Sequence, residues 1–282
     1  MLRNNRVLFF RQGAFRDLSH PLSDINESTS VIDFQVGDFL YIGSDFPFNH
    51  RYFDVTAPNA VGSVVSVDVW SGTEWEPTVD VLDETSVGGA SLARSGIISW
   101  SPDWDVSSWG PDETNLMDGS GLETGPKILG LYWARVKFSV TLTNTTALNI
   151  VGHKFSSDAD LETEYPELAS SAVKTAWESG KTDWNDQTLT AAEYIIQDLR
   201  GEKNLIISAS QILDWKNFQK ASVHKTAQII FRGFGDDYAD QTVAAAQAYK
   251  SALNVGKFNI DQNKNAILEP CEKVTNVTFA TR

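Results

Sequence analysis

A single cysteine, Cys271, occurs among the 282 residues, which excludes an intrachain disulfide as a source of stability. No run approaches the roughly 20 apolar residues that a helix needs to cross a bilayer, so no membrane span is expected. The amino terminus, Met1-Leu-Arg-Asn-Asn-Arg-Val-Leu-Phe-Phe, is basic, but its apolar run is too short for the core of a secretory signal. Synthesis in the cytoplasm without a cleaved signal is the expectation. Basic side chains are scarce, with 23 Lys and Arg against 37 Asp and Glu, a net charge of −14. A free nucleic-acid binder needs a basic footprint and this chain has none. Such acidity keeps a protein soluble and is compatible with a surface that nucleic acid slides past unheld. The histidines, His20, His50, His153 and His224, stand singly, and no H-x-x-x-H pair offers zinc a site. A G-x-S-x-G elbow, a phosphate-binding glycine loop and a C-x-x-C pair are all missing. Neither an internal repeat nor a low-complexity tract is present.

What is present is tryptophan in strand-like sequence. Six of the nine tryptophans lie between Trp70 and Trp133. Val64-Val-Ser-Val-Asp-Val-Trp-Ser-Gly-Thr-Glu-Trp75 alternates apolar and polar side chains and turns at Ser71-Gly72. Leu131-Tyr-Trp-Ala-Arg-Val-Lys-Phe-Ser-Val-Thr-Leu142 alternates again. Period-two alternation with β-branched and aromatic residues marks half-buried strands. Further strands are expected at residues 6–11, 39–43, 51–55, 78–82, 96–100 and 148–151. Short strands punctuated by Gly, Pro and Asp predict a sandwich or jelly roll. Within it Trp70, Trp100 and Trp133 read as core.

After residue 157 the pattern turns helical. Pro166 suits a first turn, with Leu168, Ala172, Thr175, Ala176 and Ser179 on one face. Thr190-Ala-Ala-Glu193 and Ser208-Ala-Ser-Gln211 have capping-box form, the first opening a helix over residues 191–199. Phe218, Ala221, Lys225, Ala227, Ile230, Phe231 and Phe234 make one stripe; Tyr238, Thr242, Ala245, Tyr249 and Leu253 make another. Four helices with short connections predict a bundle, followed by an extended segment at 257–260, a turn at 261–265 and a strand at 274–281. The fold class expected is thus α+β in two domains: an arm or leading strand at residues 1–30, a β-sandwich of jelly-roll type at 31–157, and a helical domain with a β tail at 158–282.

Candidate chemistry is sparse. Asp261-Gln-Asn-Lys-Asn-Ala-Ile-Leu-Glu-Pro-Cys-Glu272 places Asp261, Asn263, Asn265 and Glu272 at the spacing of a calcium loop, where oxygen ligands must converge on a hard cation. Ala266 stands where that loop needs glycine, and Pro270 blocks a smooth exit helix, so a polar hairpin turn is the plainer reading. Adjacent carboxylates at Asp83-Glu84, Asp112-Glu113 and Asp236-Asp237 would suit sugar hydrolysis but also an ordinary solvated surface. Trp104 and Trp109, in a long acidic loop at residues 102–125, are placed either to pack at a subunit contact or to stack on sugar rings. No catalytic residue and no cofactor site is expected.

Two sets of phrases carry a family resemblance. Tyr165-Pro-Glu-Leu168, Asp183-Trp-Asn185, Ala192-Glu-Tyr-Ile-Ile-Gln-Asp-Leu199, Gln211-Ile-Leu-Asp214, Ala248-Tyr-Lys250 and Phe258-Asn-Ile-Asp-Gln-Asn-Lys-Asn265 resemble the head-to-tail adaptor (connector) proteins of tailed bacteriophages. Val67-Asp-Val-Trp-Ser-Gly-Thr-Glu-Trp75, Asp83-Glu-Thr85, Ser95-Gly-Ile-Ile-Ser-Trp100 and Leu131-Tyr-Trp-Ala-Arg-Val136 resemble jelly-roll domains of phage structural proteins. The resemblance implies a non-enzymatic virion protein of the neck. It implies a homo-oligomeric ring of twelve copies, docked between portal and tail or tail-terminator proteins, with genomic DNA passing through. A ring of this kind closes a heterologous interface on itself, and the ends, residues 1–26 or 273–282, would order on a neighbour by strand addition. The alternatives that stay open are a carbohydrate- or receptor-binding module, with Trp104 and Trp109 as platforms, and a glycan hydrolase.

Overall fold

The computed structural model describes residues 5–23, 27, 29–101, 130–201, 205–255, 258–261 and 273–274. The described chain is of mixed α+β class and divides into two compact units, the first ending at Gly152 and the second beginning at His153. Trp104, Trp109, Asn263, Asn265, Glu272 and the tail beyond Val274 lie outside the described residues.

The first unit holds strands β1 (Asn5–Arg11), β2 (Ala14–Asp17), β3 (Ser30–Val31), β4 (Phe39–Ser44), β5 (His50–Ala57), β6 (Val65–Trp70), β7 (Trp75–Pro77), β8 (Val79–Asp83), β9 (Gly96–Ser101), β10 (Tyr132–Phe138) and β11 (Ala147–Gly152). They form two open antiparallel sheets, ordered β2-β1-β4-β10-β6-β7 and β3-β11-β5-β9-β8. Alternation along each strand decides what is buried. Val7, Phe9, Leu40, Ile42, Val65, Val67, Val69, Ala134 and Val136 of the six-stranded sheet share one apolar cluster with Phe53, Ile98, Leu148 and Val151 of the five-stranded sheet. Each valine, leucine, isoleucine or phenylalanine among them contributes about 1.5–3 kcal/mol relative to an exposed position.

Three short strands escape the alternation rule. β2 is joined to β1 through Gln12 and Gly13, both at positive φ (51° and 81°), the backbone of a two-residue hairpin turn. β3 and β7 are two and three residues long, too short for a period to register. β10 stops at Phe138, four residues before the alternating pattern ends. There the Ser139 amide donates to the Val64 carbonyl and the Leu142 amide turns to the Phe34 carbonyl. Residues 5–17 pair with their own sheet, Val7 opposite Ile42 and Phe10 opposite Phe15, with β2 at its edge.

The second unit holds α1 (Asp158–Glu164), α2 (Ser171–Trp177), α3 (Asn185–Arg200), α4 (Gln219–Gly233) and α5 (Ala239–Val255), with strands β12 (Phe258–Asn259) and β13 (Lys273–Val274) paired antiparallel. α4 and α5 bury the expected stripes: Ala221, Ala227, Ile230 and Phe231 on one, Ala245, Tyr249 and Leu253 on the other. Two expectations are corrected. The helix assigned to residues 191–199 begins at Asn185, and Thr190 lies inside it, its hydroxyl donating to the Asp186 carbonyl. Trp184 sets the start instead: it is wholly buried, its indole N–H donates to the Leu168 carbonyl and its amide to Asp158 Oδ2. The stripe from Leu168 to Ser179 is also broken. Ser170, in extended conformation, separates a 3-10 turn (Pro166–Ala169) from α2. Rotation at that break leaves Ala172, Thr175 and Ala176 exposed and packs Val173 and Trp177 on the core. Helix α1, opened by a reciprocal Ser157–Asp160 capping box, carries too few apolar residues to announce itself.

Candidate functional site

Among the described residues, those singled out by sequence do not converge. Asp261 is buried and its backbone is committed: its amide donates to the Gln211 carbonyl at 3.0 Å, and its carbonyl accepts from Gln211 Nε2 at 2.7 Å. Gln211 Oε1 in turn accepts the amides of Ile207 and Ser208. Residue 261 therefore serves as an anchor for the segment after α5. Among the described residues no group of three or more His, Cys, Asp or Glu is placed to hold a metal ion. Asp83 spends one carboxylate oxygen on the amide and hydroxyl of Thr85, which holds a turn rather than a substrate. Burial pulls the His50 pKa down to about 3, with the neighbouring Arg51 charge adding to the effect. Burial likewise lowers His224 and raises Tyr165 to about 12, the two joined by a 2.8 Å hydrogen bond between the phenol and Nδ1. A neutral histidine against a protonated phenol is a structural pair. Arg51 is fully buried with its guanidinium 3.7 Å from the centre of the Phe48 ring, an arrangement that offsets part of its desolvation.

The feature that stands out is the outer face of the six-stranded sheet. Strand pleating sends Leu8 and Phe10 of β1, Phe39 and Tyr41 of β4, Trp133, Arg135 and Lys137 of β10, and Asp68 and Trp70 of β6 away from the shared core. Register aligns them across strands: Leu8 opposite Tyr41, Tyr41 opposite Arg135, Arg135 opposite Asp68. Leu8, Tyr41, Trp70 and Trp133 form a second buried cluster, flanked by half-buried Phe10, Phe15, Phe39, Trp75 and Leu131. Trp70, Trp100 and Trp133 are all buried as core, as expected; Trp100 lies in the cluster shared by the two sheets, Trp70 and Trp133 in this second one. Trp133 lies flat on β4, where Gly43 leaves room: a Cβ there would sit 2.6 Å from the ring. The β6–β7 turn, closed by Ser71 and by Gly72 at φ +100°, carries Trp75 back over the face. Its ring centre lies 5.2 Å from that of Trp70 and 5.5 Å from that of Tyr41.

Charge on this face is organised around Asp68, whose side chain is nearly fully buried. Arg135 Nε donates to it at 2.7 Å and Lys137 Nζ at 2.8 Å. The guanidinium lies 4.8 Å from the Phe39 ring centre and 4.7 Å from that of Trp75. Two cations on one carboxylate leave a local surplus of positive charge, set among aromatic rings. Such a face is held together by stacking and packing of its own rings. Its signal in the sequence is the consecutive apolar residues of Val7-Leu-Phe-Phe10 and Phe39-Leu-Tyr-Ile42: a strand apolar at every position is covered on both sides.

No family model, no curated protein and no solved structure matches the chain. Among the described residues no helix is long and apolar enough to cross a membrane.

Proposed function

We propose that the chain is a non-enzymatic structural protein of a tailed-phage virion, forming a neck ring that joins portal to tail around the DNA channel. Strand order carries this reading. With the β1–β2 hairpin and the edge strand β8 set aside, the remaining strands numbered in chain order run 1-8-3-6 in one sheet and 2-7-4-5 in the other. That order supports a jelly roll, a fold used by viral capsid proteins and by lectins. The step from fold to virion is an analogy, joined to the resemblance of the helical segment to head-to-tail adaptors. An acidic chain suits a channel that DNA must traverse without sticking. Electron microscopy of the purified chain, alone and mixed with portal rings, tests the proposal. Closed rings, expected at twelve copies, that cap the portal support it; a monomer that ignores portal and tail proteins at high concentration sinks it.

A second reading, a carbohydrate- or receptor-binding module, is favoured by the outer aromatic face, where half-buried Phe39 and Trp75 flank a cation. Stacking of a flat ring on a pyranose is the chemistry involved. Glycan binding that Trp75→Ala abolishes would establish it, and binding lost instead on Trp104→Ala or Trp109→Ala would place it on the acidic loop.

A further inference from the structure

One pole of the β unit carries three uncharged connections. Residues 55–67, 85–93 and 138–152 contain no Asp, Glu, Lys, Arg or His, in a chain of which 21% is charged. Antiparallel pairing brings the connections β5–β6, β8–β9 and β10–β11 to the same end of the strands; the β3–β4 connection at that end carries Asp33 and Asp38, both paired with Arg11. Hydrogen bonds then stitch the four together. Asn59, nearly fully buried, donates to the carbonyls of Val61 and Ser91 and to Ser63 Oγ, and accepts from the amides of Val61 and Thr143 and the Thr143 hydroxyl. Ser63 bridges to Gly89 and Ser91, Val64 to Ser139, and Leu142 to Phe34. A tight turn at Gly88 and Gly89, both at positive φ, is closed by reciprocal Val87–Ala90 hydrogen bonds.

Three valines stand out from the uncharged connections: Val61 is 41% exposed, Val64 69% and Val87 52%. Exposed apolar side chains held on a fixed backbone lose little freedom when covered, and depletion of charge is the compositional mark of the centre of an interface. The sheet edges, by contrast, are guarded: β2, β3 and β7 are short, and β8 carries an irregularity with Asp80 at φ +51°. Short and bulged edges oppose strand addition.

We propose that this pole is a self-association surface whose occupant is the same pole of a second copy. Charge selects that partner. At −14, copies repel wherever their acidic surfaces meet, and the three uncharged connections are where two can close without burying an ion. An uncharged patch of valine, threonine and glycine is complementary to itself, as a two-fold contact requires. An oppositely charged partner would gain nothing there. The contact is an additional one beside any ring interface, and does not depend on the neck reading.

Sedimentation velocity of the full chain over a range of concentrations and salt tests it. Wild type is expected to dimerise, and added salt should hold or tighten the dimer, because screening weakens the repulsion between acidic copies while the three uncharged connections have no ion pairs to lose. Val64→Asp with Val87→Asp should weaken dimerisation by at least about tenfold. Val243→Asp on α5, 56% exposed, adds a charge elsewhere and should not. If the double variant is misfolded by circular dichroism, Val64→Asn alone is used and should weaken the dimer in the same sense. A wild-type chain that stays monomeric at high concentration, a dimer indifferent to the Val64 and Val87 changes, or one dissolved by salt overturns the proposal. A pole-dependent dimer that never binds portal defeats the neck reading and leaves this one standing; rings on the portal with no pole-dependent dimer do the reverse.

Discussion

Asn59→Ala is the sharpest test of how the pole is held. The side chain makes six hydrogen bonds. Two, to Ser63 Oγ and the Ser91 carbonyl, are buried at both ends; truncation removes them where water does not readily reach, leaving Ser63 Oγ with only the Ser91 amide. The other four are partly accessible and recover water. Taking about 1 kcal/mol for each buried bond and a few tenths for each accessible one, the loss is about 3 kcal/mol. That is a large share of the roughly 5–15 kcal/mol that holds a domain, and corresponds to a fall of about 6–12 °C in Tm for a unit of this size. Asn59→Asp keeps the shape and the accepting oxygen but turns a second oxygen on the carbonyls of Val61 and Ser91, so it should destabilise at neutral pH as well. Urea unfolding followed by tryptophan fluorescence reads both variants. A change below about 0.5 kcal/mol for Asn59→Ala, the size of an ordinary surface substitution, would refute the hub.

Gly43→Ala should cost about 1–3 kcal/mol through overpacking, because its Cβ meets the Trp133 ring at 2.6–2.8 Å; near-ultraviolet circular dichroism and denaturant midpoints check it. The folded chain holds His50 neutral, its pKa near 3 against an ordinary 6.5, so the unfolded chain takes up this proton first. Stability is therefore expected to fall as pH drops from 6.5 towards 3, and His50→Gln should flatten that limb of a stability–pH profile. Gln211→Ala removes the bonds to Ile207, Ser208 and Asp261 and should cost about 2 kcal/mol, with faster hydrogen exchange at residues 207–212 and 260–261. Trp75→Ala uncovers Arg135 and should lower stability by about 3 kcal/mol or more through lost aromatic packing, read by thermal unfolding.

Where a side-chain period ran long enough, it announced its element. Residues 65–70 and 132–138 alternate and are strands; Phe218 to Phe231 repeats at helical spacing and is a buried helix face. These follow from the chain's local geometry, which turns spacing along the sequence into direction in space. The capping form at Thr190 misled for the same local reason: a hydroxyl three residues before a glutamate fits a helix start, but it also fits a helix interior once a buried tryptophan has set the start five residues earlier.

Alternation also told that one side of each strand is covered, and by its absence in Phe39-Leu-Tyr-Ile42 that both are. It could not tell what covers the second side. That required knowing that β4 lies between β1 and β10, and β10 between β4 and β6, pairings that join residues up to about a hundred apart in the chain. The uncharged part of the pole is of the same kind. Its three runs are plain in the sequence, yet separated by acidic and basic stretches they look like chance. They become a surface because antiparallel strands of similar length return their connections to one end and Asn59 binds them there. Local spacing acts through covalent geometry; neighbours across a sheet are chosen by the burial of whole faces, a property no single segment possesses.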